Sequence, residues 1–188
     1  MKFIIATHNN NKLKEIKDIL NGSFELVTLS DLGYNEDIIE NGNTFEENAL
    51  IKAKTIYEKY HMPVIADDSG LCVDALSGRP GINSARYSGG NSDDNINKLL
   101  KELEGIKNRK AYFICVVCMY CASDNIKYFV GKCYGEIAYQ KQGESGFGYD
   151  PIFIYKGTSF ASLNEEEKNK VSHRGIAFKK LAEYLHNK

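Results

Sequence analysis

"AYFICVVCMYC" (residues 111–121) and "IKYFVGKCYGEIA" (residues 126–138) are the stretches on which the fold turns. Both are rich in β-branched and aromatic residues, and they are joined around Asp124-Asn125, a turn-forming pair, so they predict two long antiparallel strands. The strands to either side alternate with helices, as parallel units do. Upstream, Phe3–Ala6 reads as a buried strand. It is followed by a polar turn and a helix over Asn11–Leu20, with Leu13, Ile16, Ile19 and Leu20 on one side and a stop at Gly22. Phe24–Leu29 reads as a second strand. Thr44 opens a longer helix with the capping-box spacing Thr44-x-x-Glu47, running to about Tyr60, and Val64–Ala66 is the next strand. Parallel-type units combined with a long hairpin predict an α/β protein built on a mixed sheet.

Nearer the hairpin, Ser77–Gly90 is rich in turn formers and long enough to be a functional loop. It leads into a helix with Asp93 and Asp94 in the first turn, a buried stripe of Ile96, Leu99, Leu100 and Leu103, and an end at Gly105. Downstream come the Gly-rich "GESGFGYDPIF" (143–153), a short strand, the acidic-then-basic "SLNEEEKNKVSHRG" (162–175), and a final helix from Ile176 with Leu181 and Leu185 facing inward.

The chain has 188 residues, 43% of them hydrophobic, enough to bury a real core, and no linker or repeat divides it, so residues 1–188 are expected to form one domain. Lys and Arg nearly balance Asp and Glu, for a net charge of -1, which argues against nucleic acid or an anionic membrane as partner. No apolar run approaches the roughly 20 residues needed to span a bilayer, and the start has no signal-peptide pattern, so a cytoplasmic protein is expected. Cys115, Cys118 and Cys121 offer a CxxCxxC spacing. In a strand, alternation puts Cys118 on the opposite face from the other two, so all five cysteines are read as small buried hydrophobes.

Val64–Ala66 runs into two adjacent carboxylates, Asp67 and Asp68, and then a Ser-Gly turn. Like charges at the end of a buried strand need a cation, a proton or a strong donor to offset them. Consecutive residues point to opposite sides, so either one serves structure while the other faces a cleft at the sheet's carboxyl edge, or the pair makes a purely structural turn. Paired carboxylates suit Mg²⁺, which takes few protein oxygens together with water and phosphates. "ATHNNNKLKEI" (6–16) sets Thr7, His8, Asn9 and Lys12 at a strand-to-helix junction, which serves either as a phosphate site or as a plain helix cap. There is no G-x-x-x-x-G-K-[ST]. In "IIENGNTFEENALIKAK" (38–54), Glu40 precedes a Gly turn, and Asn48 and Lys52 share a helix face. "GFGYDPIF" (146–153) combines permissive glycines with Phe147 and Tyr149, flat surfaces for a base, and Asp150, an acceptor. "KVSHRG" places Ser172, His173 and Arg174 at the start of the last helix.

Taken in order, "ATHNNNKLKE", "ENGNTFEENALIKA", "ADDSGLCVDAL", "GRPGINSARYSG", "GFGYDPIF" and "EEEKNKVSHRG" resemble the inosine triphosphate pyrophosphatase family, in its bacterial branch, from end to end. The chain departs from that pattern at His8, where many members carry Gly. The resemblance implies an elongated mixed sheet flanked by helices, with two lobes around a central cleft, a homodimer, and Mg²⁺-dependent hydrolysis of deaminated purine nucleoside triphosphates (ITP, dITP, XTP) to the monophosphate and pyrophosphate. By the same resemblance Asp68 is the general base, and Glu40 and Asp68 are the metal-side carboxylates. Thr7, His8, Asn9, Asn10, Asn11, Lys12 and Lys52 hold the triphosphate. Ser69, Phe147, Gly148, Tyr149, Asp150, Lys168, His173 and Arg174 complete the nucleotide pocket. The alternatives are a house-cleaning pyrophosphatase for other modified nucleotides and a non-catalytic nucleotide sensor. An RNA-binding module is disfavoured because there is no basic excess or aromatic ribonucleoprotein motif.

Overall fold

In the computed structural model, which describes residues 2–20, 22 and 24–187, seven strands form one sheet in the order β2-β1-β3-β4-β5-β6-β7. The chain runs β1 (Lys2–Ile5), α1 (Asn10–Leu20), β2 (Glu25–Thr28), α2 (Phe45–Tyr60), β3 (Val64–Val73), α3 (Ser92–Glu102), β4 (Lys110–Ala122), β5 (Asn125–Ile137), β6 (Phe153–Tyr155), β7 (Thr158–Ser159), α4 (Glu165–Val171) and α5 (His173–His186). β1 pairs in parallel with β2 and β3, while β6 is antiparallel to both β5 and β7, so the sheet is mixed as the hairpin predicts.

The chain divides into two compact units. One comprises the residues up to Asp68, Cys115–Gly131 and the residues from Arg174 onward; the other comprises Ser69–Ile114 and Lys132–His173. In the first, Phe3, Ile5 and Ile65 of the sheet pack with Ile16 and Leu20 of α1, with Cys115, Val117 and Met119 of β4, and with Ala177, Phe178, Leu181 and Leu185 of α5. Cys115 lies in this cluster with Cys121 packed against it, whereas Cys118 does not, as strand alternation requires. All five cysteines are free thiols, and burial pushes the Cys118 thiol up to about 12 and the Cys133 thiol up to about 11. Cys72, Cys115, Cys118 and Cys133 are buried as expected, whereas Cys121 is only half-buried.

In the second unit, Leu71, Val73, Ile96, Leu99 and Leu103 pack with Phe113, Phe153 and Phe160. Phe113 and Phe153 lie 4.6 Å apart at 53°. The turn-rich segment 77–90 contains a 3-10 stretch over Gly81–Arg86, pinned where Ser84 Oγ accepts from the Leu71 N–H at 2.9 Å and Asn95 Nδ2 donates to the Ala85 carbonyl at 3.1 Å.

Three boundaries differ from those the sequence predicts. β3 does not stop at Ala66: it continues through Asp67, Asp68, Ser69 and Gly70 to Val73, so the acidic pair is in mid-strand and Ser69-Gly70 is not a turn. The acidic-then-basic segment forms a helix of its own, α4, capped reciprocally by Asn164 and Glu167. α5 starts at His173 rather than Ile176 because Ser172 ends α4 and the chain turns at once into the next helix. At the start of α2, Thr44 accepts from the Glu47 N–H as a capping box requires, but Glu47 reaches back to the Asn43 N–H instead of that of Thr44. No helix among the described residues is long and apolar enough to cross a membrane.

Candidate active site

In the first unit the strand order reverses between β1 and β3: β1 leads by way of α1 to β2 on one side, while β3 lies on the other. Such a switch point, at the carboxyl ends of parallel strands, is where open α/β sheets present ligand-binding residues. The register pairs Ile5 with Ile65 as the last residues of the ladder, so Asp67 and Asp68 project beyond the end of β1, where Thr7–Lys12 begin.

The two aspartates face opposite ways. Asp67 is 3% exposed, and its Oδ2 lies 2.9 Å from Lys12 Nζ and 3.8 Å from Arg174 Nε; the Cys115 thiol donates to the same oxygen at 3.8 Å. Burial alone would push the Asp67 carboxyl up, but Lys12, Arg174 and Lys52 outweigh it and hold the group well below the usual carboxylate range. The Arg174 guanidinium also grips Glu15 of α1. Asp67 is thus neutralised by cations of its own chain, a role for which no metal is needed.

Asp68 turns toward α2. Its Oδ2 accepts from Asn48 Nδ2 at 3.2 Å, and its Oδ1 lies 3.7 Å from Lys52 Nζ, which in turn lies 2.9 Å from Glu40 Oε2. Burial pushes the Asp68 carboxyl upward, Lys52 and Lys12 oppose this, Glu40 adds to it, and the Asn48 bond opposes it again; the outcome is upward. Lys52, taken alone, reads as an ordinary solvated helix lysine, yet it is 8% exposed. Burial disfavours its charge, but Asp68, Asp67 and Glu40 more than restore it.

Glu40 and Asp68 therefore converge on one cationic centre, the Lys52 ammonium. This is the observation that tests the fit of a divalent ion: two carboxylates already aimed at a shared positive charge suit Mg²⁺, which leaves its other positions to water and phosphate oxygens. Among the described residues no three His, Cys, Asp or Glu side chains gather as a closed metal cage.

The strap carrying Glu40 is held by His8. Its ring stacks on Tyr34 at 5.9 Å and 11°, and its Nε2 bonds the Glu36 carbonyl at 3.1 Å; Lys59 sits 4.6 Å over the Tyr34 ring. His8 has no left-handed φ, so this turn does not require Gly. At the start of α1, Asn9 Oδ1 accepts from the N–H groups of Asn11 and Lys12 at 3.0 and 3.1 Å, and Thr7 Oγ1 accepts from Asn9. The capping reading of this turn is realised here. Asn10 and Asn11 are exposed at the same helix end.

The second unit holds the other group of candidate residues. Asp150 Oδ2 accepts from the Phe147 N–H at 2.8 Å and from Lys168 Nζ at 2.6 Å, and that ammonium lies 4.7 Å from the Phe147 ring. Phe147 is half-buried, whereas Tyr149 is packed into the core with its hydroxyl donating to the Ser84 carbonyl at 2.9 Å. Only Phe147 remains as a flat surface for a base. This corrects the expectation for the Tyr149 ring, which is large and apolar enough to be taken by the core. Gly148 adopts φ +62, and Ser69 is half-buried in β3. His173 is buried and stacks on Phe113 at 4.6 Å and 12°.

Gly146 has φ +79, and a Cβ there would fall on the Asp150 carboxylate. Gly146→Ala is therefore expected to lower stability by more than about 1 kcal/mol, since it adds backbone strain to displacement of Asp150. An unchanged urea midpoint would refute this.

Glu15 escapes a reading of the sequence, as do the partners of Asn48 and Arg174. Glu15 lies one helical turn from Lys12, a spacing that could have paired them on one face. Asn48 stands one turn before Lys52, but its task depends on β3. The commitment of Arg174 to Asp67 and Glu15 joins residues far apart in the chain, and nothing local signals it.

The sequence matches the Ham1 family over residues 3–184. Proteins named dITP/XTP pyrophosphatase are 48% identical to it in Christiangramia forsetii, over 98% of this chain and 99% of the relative, and in Bacillus subtilis, over 97% and 96%. Among solved structures, the Staphylococcus aureus Ham1 protein superposes with a TM-score of 0.90 at 41% identity, covering 100% of this chain and 99% of that one. A HAM1 protein from Coxiella burnetii gives 0.92 at 34%, covering 100% of both. With the match spanning nearly every residue and both units, the chain belongs to the Ham1 family.

Proposed function

We propose that this protein hydrolyses deaminated purine nucleoside triphosphates (dITP, ITP and XTP) between the α- and β-phosphates, releasing the monophosphate and pyrophosphate and so cleansing the nucleotide pool. The observation that carries the reading is the convergence of Glu40 and Asp68 on Lys52 at the switch point of the sheet. The activity in the names of relatives 48% identical over nearly the whole chain supports it.

Asp68 accepts the proton of the water that attacks the α-phosphorus, and pyrophosphate leaves with the electron pair of the broken P–O bond. An upward-shifted carboxyl is a stronger base than a free one. Glu40 and Asp68 would hold Mg²⁺, which when bound neutralises phosphate charge and orients the polyphosphate. Lys12 and Lys52, with the turn Thr7–Asn11 at the α1 N-terminus, take the triphosphate; Lys52 thereby exchanges carboxylate partners for phosphate oxygens. Lys168 adds a further cation. Phe147 stacks on the base, with Ser69, Gly148, Asp150 and His173 completing the nucleotide contacts, while Tyr149 and Arg174 support the pocket from within the core.

Hypoxanthine and xanthine present a 6-oxo acceptor where adenine presents a donor. A donor aimed there discriminates by about 1–3 kcal/mol, roughly tenfold to more than a hundredfold. Since Arg174 is 2% exposed and grips Glu15 and Asp67, we assign that donor to a backbone N–H. The protein acts as one domain of residues 1–188, in the cytoplasm, as a homodimer.

The test is a panel of dITP, ITP, XTP, GTP and ATP with Mg²⁺, scored for pyrophosphate against orthophosphate. Pyrophosphate from the deaminated purines is expected, abolished by chelation and restored by Mg²⁺ with no change in far-ultraviolet circular dichroism. Orthophosphate as product, or full turnover in excess chelator, would refute it.

A further inference from the structure

Asn48 is 1% exposed and is the fourth residue of α2, where its amide is costly to bury unless both ends are bonded. Both ends are bonded. The Gly42 N–H donates to Asn48 Oδ1 at 2.9 Å, and Asn48 Nδ2 donates to Asp68 Oδ2 at 3.2 Å. The orientation of the amide follows from its partners: a backbone N–H can only donate and an ionised carboxylate can only accept, so the oxygen faces Gly42 and the nitrogen faces Asp68.

The close approach requires glycine. A Cβ on residue 42 would come 2.7 Å from Glu47 Cβ and 2.8 Å from Asn48 Oδ1. Gly42 stands two residues after Glu40. One amide side chain thus ties the strap that carries Glu40 to the strand that carries Asp68, while Lys52, one turn further along α2, touches both carboxylates.

We propose that Asn48 is a positioning residue for hydrolysis, holding the Asp68 carboxylate and the Gly42 turn beside Glu40 in fixed relation through the two ends of its amide. The proposal rests on the reading of Asp68 as the base. Asn48 acts through Asp68 and Gly42, the two groups its amide bonds. Its removal therefore loosens the alignment of groups needed in the transition state and leaves ground-state binding of nucleotide largely in place.

Two substitutions separate the ends. Asn48→Ala removes both bonds. Asn48→Asp is nearly isosteric, keeps an acceptor for Gly42, and replaces the donor to Asp68 with a like charge. Supporting partners of this kind are worth about 10- to 100-fold. In both variants kcat is expected to fall by about that factor with KM little changed. In metal-free protein, hydrogen exchange at the Gly42 amide is expected to quicken in Asn48→Ala and to stay slow in Asn48→Asp.

Wild-type kcat in either variant, or a rise in KM alone, overturns the proposal. If Asn48→Asp restores both slow exchange and wild-type kcat, Asn48 is only a loop staple and the proposal is equally refuted. Should Asn48→Ala fold poorly, the isosteric variant carries the same comparison. Asp68→Asn measured in parallel keeps the two readings apart: if it turns over normally, the base assignment falls, whereas if it is impaired and the Asn48 variants are not, only the present proposal falls.

Discussion

Asp68→Asn is expected to cost about 10²- to 10⁴-fold in pyrophosphate release, the usual worth of a general base, while leaving the fold intact. Asparagine has nearly the shape of aspartate, and its oxygen can still accept from Asn48, so nothing in β3 needs to move. The effect on stability has the opposite sign to that on activity. Burial raises the Asp68 carboxyl above its unfolded value of about 3.9, so the folded protein prefers the protonated form. The group's stabilising proton is fully present below the unfolded value and is lost as pH rises through the folded one, so at neutral pH the ionised side chain is a cost of folding. A neutral amide removes that cost. The variant is therefore expected to melt at or above the wild-type temperature at pH 7 while being nearly inactive. Thermal unfolding and a pyrophosphate assay on one preparation check both halves. Wild-type turnover would sink the base assignment, and a lowered melting temperature would sink the electrostatic account.

The largest effect on stability is expected at Arg174. Its guanidinium is 2% exposed and offsets Glu15 and the fully buried Asp67. Arg174→Met fills similar space but takes its cation from Glu15 and leaves Asp67 to Lys12, and breaking one side of a buried ion pair costs about 3–5 kcal/mol. The pH dependence has a definite sign. Asp67 is held well below the usual range, so its ion pairs contribute stability above the unfolded value of about 4, and that contribution is lost as pH falls below it toward the depressed folded value. The gap between wild type and Arg174→Met should therefore be widest near neutrality and should narrow below about pH 4. Asp67→Asn in the Arg174→Met background should recover part of the loss, because one buried charge is gone. Urea titrations at several pH values measure this; a gap that does not depend on pH would show that lost packing, not charge, is responsible.

Where the chemistry is local, the sequence is legible. The helix boundaries of α1, α2 and α3 follow from apolar spacing and caps, and the β4–β5 hairpin from two runs of strand formers around a turn. The opposed directions of Asp67 and Asp68 follow from strand alternation alone. The extent of β3 was not legible, because Asp-Asp-Ser-Gly has poor strand propensity and holds its place through side-chain partners from α1, α2 and α5. The carboxylate partners of Lys52 and Arg174 are not legible for the same reason. Each of these two residues looks like a surface or ligand-facing cation until the carboxylates that bury it arrive from elsewhere in the chain. Tyr149 sits in a motif full of glycines that suggests an open loop, yet the core claims its ring.

The core of the first unit is assembled from three separated stretches of chain, the last of them carrying Ala177, Phe178, Leu181 and Leu185. During translation, residues 2–68 emerge with an apolar face whose covering helix has not yet been made and with Asp67 lacking its guanidinium. The intervening segments of the other unit, 69–114 and 132–173, are complete before that helix leaves the ribosome. A nascent chain consequently cannot finish its amino-terminal core in order of synthesis, and acquires it only when residues 174–185 thread back onto it, late in biosynthesis.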